Sequence, residues 1–190
     1  MQRVLAGLLA AAAVICSGAG QASAQARGYV GGGLGVSIPT GDFADGANTG
    51  FLAQIIAGVT AANGILGARV NGSWIHHGVD EADPNVDARV RFVGVMIDGV
   101  LSPGASGSKL RPYLLGGIGF QNADVSASTG NISISADETE FAFNLGGGAL
   151  IRAGPRMAVF AEVRWLSVRT EDAVNMLPIV IGLRWGGLVD

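Results

Sequence analysis

The end of the chain alternates strictly. Leu177, Ile179, Ile181, Leu183 and Trp185 fall on one side of an extended segment, and Pro178, Val180, Gly182 and Arg184 on the other. Successive side chains of a strand point to opposite faces, so this period marks a strand and not a helix. Just upstream, Val159, Ala161, Val163 and Trp165 alternate with Phe160, Glu162 and Arg164. A helix would set Glu162 and Arg164 well apart around its axis. A strand puts both on one face.

The same period continues backwards. Phe141, Phe143, Leu145, Gly147, Ala149 and Ile151 alternate with Glu140, Ala142, Asn144, Gly146, Gly148 and Arg152. In Leu110 to Gln121 the outer set is Leu114, Gly116, Ile118 and Phe120. Val93, Val95, Ile97 and Leu101 oppose Phe92, Gly94, Met96 and Asp98. Leu66, Ala68, Val70 and Trp74 oppose Arg69, Asn71 and Ser73. Phe51, Ala53, Ile55, Ala57 and Val59 oppose Gln54, Gly58 and Thr60. The run GYVGGGLGVSI supplies one more strand, with Gly31, Gly33 and Gly35 on one face and Val30, Leu34, Val36 and Ile38 on the other with Gly32. The pattern therefore predicts eight strands of roughly ten residues, the length that crosses a bilayer as a tilted strand.

The connections alternate too. Ala61 to Gly64, Pro103 to Gly107 and Ala153 to Arg156 read as tight turns. Pro39 to Gly50, Gly78 to Asp87, Asp124 to Asp137 and Thr170 to Asn175 read as longer polar connections. Short turns at one end and longer loops at the other is the layout of an outer-membrane barrel. The short ones would be periplasmic and the longer ones extracellular. Within Asp124 to Asp137, Val125, Ala127, Ile132 and Ile134 keep alternating around Thr129-Gly130-Asn131, a hairpin signal. That stretch reads either as a protruding hairpin or as a disordered loop.

The start of the chain reads as export. Arg3, an apolar Val4 to Ile15 and an Ala22-Ser23-Ala24 cleavage site make residues 1–24 a cleaved signal peptide and 25–190 the barrel domain. Cys16 as a lipid anchor is disfavoured by the bulky Ile15 before it. Cleavage removes this single cysteine, so no disulfide is available. Beyond the leader no apolar run is long enough for a membrane helix, which needs about 20 residues. Glycine accounts for 31 of 190 residues, roughly twice the usual share. Lysine occurs once, at Lys109, and the net charge of −3 excludes a nucleic-acid partner.

Which face looks outward decides between two barrels. The uniformly apolar face carries Phe51, Trp74, Phe141, Phe143, Trp165 and Trp185, expected to meet lipid. The other carries Arg69, Asp98, Glu140, Arg152, Glu162, Arg164 and Arg184, expected to form a charge network in the lumen, with Asn144 beside them. Charges from several strands do not sit in a dry soluble core unless all are paired. The fold class is therefore all-β, an eight-stranded antiparallel up-and-down transmembrane β-barrel. The alternatives are a soluble periplasmic eight-stranded barrel binding a small apolar ligand, or a narrow pore. Eight strands leave an interior only wide enough for side chains to fill.

The ordered set of motifs resembles the small outer-membrane β-barrel superfamily of Gram-negative bacteria, the opacity-type and OmpX-type proteins. The residues that carry the resemblance are Gly28 to Gly35, Arg111 to Phe120, Val159 to Trp165 and Leu177 to Trp185. It implies residence in the cell outer membrane and insertion by the barrel-assembly machinery, which reads an aromatic at the end of the last strand. Trp185 fits that role, but Gly186 to Asp190 follow it, where members of the family usually end.

Chemistry-bearing clusters are sparse. His76 and His77 point to opposite faces, so they do not chelate one ion together, and Asp80, Glu81 and Asp83 read as a solvated loop. His77 is the sole candidate base for an enzyme, and no matching motif accompanies it. Asp42, Asp45 and Asn48 suit either a cation or a turn. Arg89 and Arg91, if outward, would meet lipopolysaccharide phosphates. No catalytic, metal or cofactor site is expected. The expected partners are outer-membrane lipid, lipopolysaccharide, the assembly machinery and an extracellular protein or surface reached through the loops. The glycine run at Gly31 to Gly35 is not followed by a helix that would complete a phosphate cradle, so it reads as space on the lumen side.

Overall fold

The computed structural model describes residues 26–79, 86–103, 108–129, 132–170 and 173–187. The predicted signal and cleavage site, Asp80, Glu81, Asp83 and the residues after Gly187 lie outside them. Eight strands follow one another: β1 (Arg27–Thr40), β2 (Gly50–Thr60), β3 (Leu66–Val79), β4 (Val86–Leu101), β5 (Leu110–Thr129), β6 (Ile132–Arg152), β7 (Met157–Val168) and β8 (Val174–Gly186). Each pairs antiparallel with the next, and β8 closes on β1. The chain is an up-and-down barrel with no sheet edge through its body. No described helix is long and apolar enough to cross a membrane.

The two faces separate as the alternation requires. Leu145, Ile55 and Ile181 stand outward and about two-thirds exposed, at 66%, 66% and 65%. Leu52, Ile75, Phe92, Met96, Phe160, Met176 and Val180 are fully buried inside. The interior is thus more apolar than a lumen described only by its charges. An eight-stranded barrel has no room for bulk water, so rings and aliphatic chains fill what the polar groups leave.

Three local features depart from the sequence pattern. The strands run from 11 to 21 residues instead of about ten. The stretch predicted as either hairpin or loop continues the ladder: Asp124 pairs with Asp137, and Thr129 with Ile132. Serine there does not interrupt a period-two pattern. β4 accompanies β5 outward as far as Val86 opposite Thr129. β7 stops earlier, its last pair with β6 being Ala142 with Val168. Among the described residues, Ile132 to Glu140 therefore pair on the β5 side alone. Finally, β1 extends to Thr40 and runs into a short 3-10 turn, Gly41–Asp45, in place of an open loop.

The tight turns are chemically local. Asn63 accepts the Ile65 N–H on its side chain at 3.0 Å. Gly64 turns the chain at φ +68, a conformation that suits glycine.

Candidate functional site

The polar lumen is built by cross-bracing. Arg69 on β3 lies in register opposite Asp98 on β4, and its Nε donates to Asp98 Oδ2 at 2.8 Å. Its two terminal nitrogens reach across the barrel to Glu162 on β7, at 2.7 and 2.9 Å. β3 and β7 are four strands apart in a ring of eight, so this fork spans the full diameter. The Tyr113 hydroxyl donates to Glu162 at 2.8 Å, and Asn144 Nδ2 donates to Asp98 at 2.8 Å. Arg164 Nε stands 3.1 Å from Glu162 Oε1, an ion-pair contact and not an aligned hydrogen bond. Arg164 also donates to Gln54 Oε1 at 2.7 Å, which receives Asn71 at 3.1 Å as well. Two arginines and two carboxylates balance in charge, and every carboxylate oxygen named has a donor. That is the condition under which buried charge is tolerated.

The other predicted network residues sit elsewhere on the same inner face. Glu140 is half-buried at the loop end, opposite Gln121. Arg152 is half-buried at the turn end, where its backbone N–H donates to Lys109. Arg184 is buried lower in the barrel. It lies 3.5 Å over the Tyr29 ring and donates to Thr60 Oγ1 and the Gly187 carbonyl, both at 3.0 Å. Tyr29, Tyr113, Gln54 and Arg111 completed the lumen without being singled out from the sequence. Their signal was parity alone: Tyr29 and Tyr113 share a strand face with Arg27 and Arg111, and Gln54 shares one with Thr60.

The first strand's glycines do face inward, but the space beside them is filled differently from the expectation. A side chain at Gly33 would meet the Phe160 ring and Val180, and one at Gly31 would meet Ile56. The charged groups take their room from other glycines: Gly117 faces Asp98, and Gly146 faces Arg164.

At the loop end the 3-10 turn closes the mouth. Phe43 packs edge-on against His77 and Phe92, with ring centres 5.4 and 6.1 Å away. His77 is buried, and its Nδ1 donates to the Asn48 carbonyl at 2.8 Å. His76 lies on the outer face, stacked on Trp74. Asp42 sits in the first turn of the 3-10 segment, exposed like Asp45 and Asn48. Among the described residues no three His, Cys, Asp or Glu side chains gather as a metal site.

The outer face is apolar and rimmed by rings. Phe51, Trp74, Phe141, Trp165 and Trp185 are exposed there, and half-buried Phe143 stacks edge-on with Trp165. Arg89 and Arg91 are outward at the loop end of β4, with Arg91 donating to Asp124 at 3.0 Å. Below them runs an apolar groove of about 670 Å³ over Gly32, Gly72 and Ala53, walled by Leu34, Ile55, Trp74 and Leu183.

The model of the outer membrane protein beta-barrel domain matches residues 7–183. The chain belongs to that family. Solved outer-membrane barrels share its fold at low identity. A major outer membrane protein from Thermus thermophilus has TM-score 0.65 at 11% identity, over 85% of this chain and 99% of that one. The attachment invasion locus protein Ail of Yersinia pestis, in complex with the heparin analogue sucrose octasulfate, gives 0.60 at 14%, over 85% and 99%. Neisserial surface protein A gives 0.59 at 17%, over 83% and 96%. No match was found among curated proteins. Membership of that family places this barrel in the outer membrane.

Proposed function

We propose that this outer-membrane barrel is a non-enzymatic structural and surface-contact protein, exported by a cleaved signal over residues 1–24 and inserted by the barrel-assembly machinery. The observation that carries the contact role is the extension of β4, β5 and β6 beyond the end of β7. Among the described residues it leaves the backbone of Ile132 to Glu140 paired on one side. An unpaired strand edge is a template for another chain's strand. The charged quartet serves as a brace in this reading, since its donors and acceptors are engaged with one another. Phe92, Phe160 and Met176 fill the lumen around it, which favours a closed barrel over a pore. A soluble carrier would need an inner cavity for its ligand, and the two cavities around Arg184 are about 20 and 10 Å³.

Lipopolysaccharide is the proposed lipid partner on the outer face. Arg89 and Arg91 stand two strand positions or more above Val93, which lines the apolar groove. A phosphate at the guanidiniums and an acyl chain in the groove would be served together.

Fractionation tests the membrane reading: the processed protein stays with the outer membrane and shows a heat-modifiable gel shift. Recovery in the detergent-free soluble fraction would refute it. Excising residues 123–128 and 133–138, which keeps Thr129 to Ile132 as the turn and removes most of the edge, tests the contact role. Cells displaying the shortened barrel should lose retention on protein-coated surfaces while the gel shift persists; undiminished retention removes the edge from the argument.

A further inference from the structure

The lumen's charges are not balanced along its length. The central quartet is neutral, but two more arginines are buried near the turn end, Arg111 at 6% and Arg184 at 7% exposure. Both line one cavity of about 10 Å³, with Tyr29, Thr60, Gly64 and Ser102 around it. Among the described residues neither has a carboxylate at ion-pair distance. Their hydrogen bonds go to neutral oxygens: Arg111 to the Gly64 carbonyl, and Arg184 to Thr60 and Gly187. The Nε of each is buried with no acceptor.

Neutral acceptors satisfy N–H groups, and the Tyr29 face attracts a cation, but neither cancels a buried charge. Two guanidiniums at one end of a narrow lumen also repel each other. A single small anion would accept from both unpaired Nε groups and offset both effects. The cavity of about 10 Å³ is at the lower limit for one water, so it admits a one-atom anion only with a small outward shift of the two arginine side chains, and phosphate, sulfate or an organic carboxylate is far too large. We infer that Arg111 and Arg184 form a halide site at the turn end of the lumen, filled by chloride in ordinary salt. The ion completes the plug begun by the central quartet, so it is a structural ligand and not a transported one.

The test uses the folded barrel in detergent micelles. Its thermal midpoint is followed in chloride, bromide and gluconate at equal ionic strength, and bromide-soaked crystals are measured at the bromine edge. The expected result is a saturable rise in midpoint with chloride or bromide over gluconate. One anomalous peak should lie within hydrogen-bond distance of both Nε atoms. Arg111→Met should remove the halide dependence and the peak, while Glu140→Gln leaves both unchanged. Equal midpoints with no peak would overturn the proposal, because a water then suffices. So would a halide dependence that wild type lacks and Asp190→Asn creates, since the chain's own carboxylate would then be the counterion. If Arg111→Met does not fold, the crystal peak alone decides.

Discussion

Replacing Glu162 by glutamine tests whether the brace holds the barrel. Glu162 receives the two-pronged donation of Arg69, the Tyr113 hydroxyl and the close approach of Arg164. Its side chain and that of Arg69 are essentially out of solvent, at 0% and 3%. Glutamine keeps the shape and one acceptor oxygen but removes the charge. The quartet then holds two arginines against Asp98 alone, an uncompensated positive charge in a closed lumen. Breaking a buried pair by removing one partner costs about 3–5 kcal/mol. For a chain of this size that is a fall in thermal midpoint on the order of 6–20 °C. Glu162→Gln combined with Arg164→Met restores neutrality, leaving Arg69 with Asp98. Gln54 loses one donor but keeps Asn71. The double variant should therefore recover at least about 1 kcal/mol of what the single variant loses, a coupling of the size found between contacting residues. The assay is urea unfolding in micelles, read by tryptophan fluorescence and gel mobility. A single variant as stable as wild type would refute the reasoning. A double variant that loses the sum of the two singles would refute it equally.

Other outcomes follow from the same geometry. Ile181→Arg, on the outer face at mid-strand, should destabilise the barrel in lipid by about 2–4 kcal/mol, measured by unfolding in vesicles; a neutral effect would mean that this face meets water. Gly117→Val should cost about 1–3 kcal/mol or more, because a Cβ there collides with Asp98, whereas Gly116→Ala, with Leu145 at 3.5 Å, should be close to neutral. Phe43→Ala should cost about 1–2 kcal/mol, less than a fully buried ring. It should not open a pore, since Phe92 and Phe160 remain below it. Stepwise conductance of that variant in planar bilayers would show that the mouth turn, and not the lumen, holds the barrel shut.

Alternation made the body of the fold legible. Trp165 outward and Glu162 inward follow from their spacing of three once the segment is extended, and closure follows from eight such segments. What alternation does not encode is height. Arg69, Asp98, Glu162, Arg164 and Arg184 share one inner face, yet only the first four meet. Register and strand tilt set Arg184 lower, beside Tyr29. Polarity left two readings open at the rim for a related reason: the serines of β5 and β6 are as compatible with a water-exposed strand as with a loop. Their ladder is decided by pairing across the hairpin and not by composition. Phe43 carried no local signal, because its partners His77 and Phe92 come from two later strands.

The same missing information, height, is supplied by glycine. Many of the large inner side chains, and most of the charged ones, face a glycine across a ladder. Asp98 pairs with Gly117, Met96 with Gly119 and Gln121 with Gly94. Arg164 pairs with Gly146 and Glu162 with Gly148. Tyr29 pairs with Gly58, Tyr113 with Gly148 and Phe160 with Gly182. At these positions the large group takes the volume that its glycine neighbour gives up, whereas Arg69 and Asp98 stand abreast as an ion pair and Ile75 and Phe92 as an apolar contact. Register is then fixed twice over. A slip of one residue turns the charges toward lipid. A slip of two between β4 and β5 keeps the faces but sets Met96 against Gln121 in one direction, and Asp98 against Leu115 in the other. The glycine-rich composition is therefore a positional code: it states which strand heights belong together.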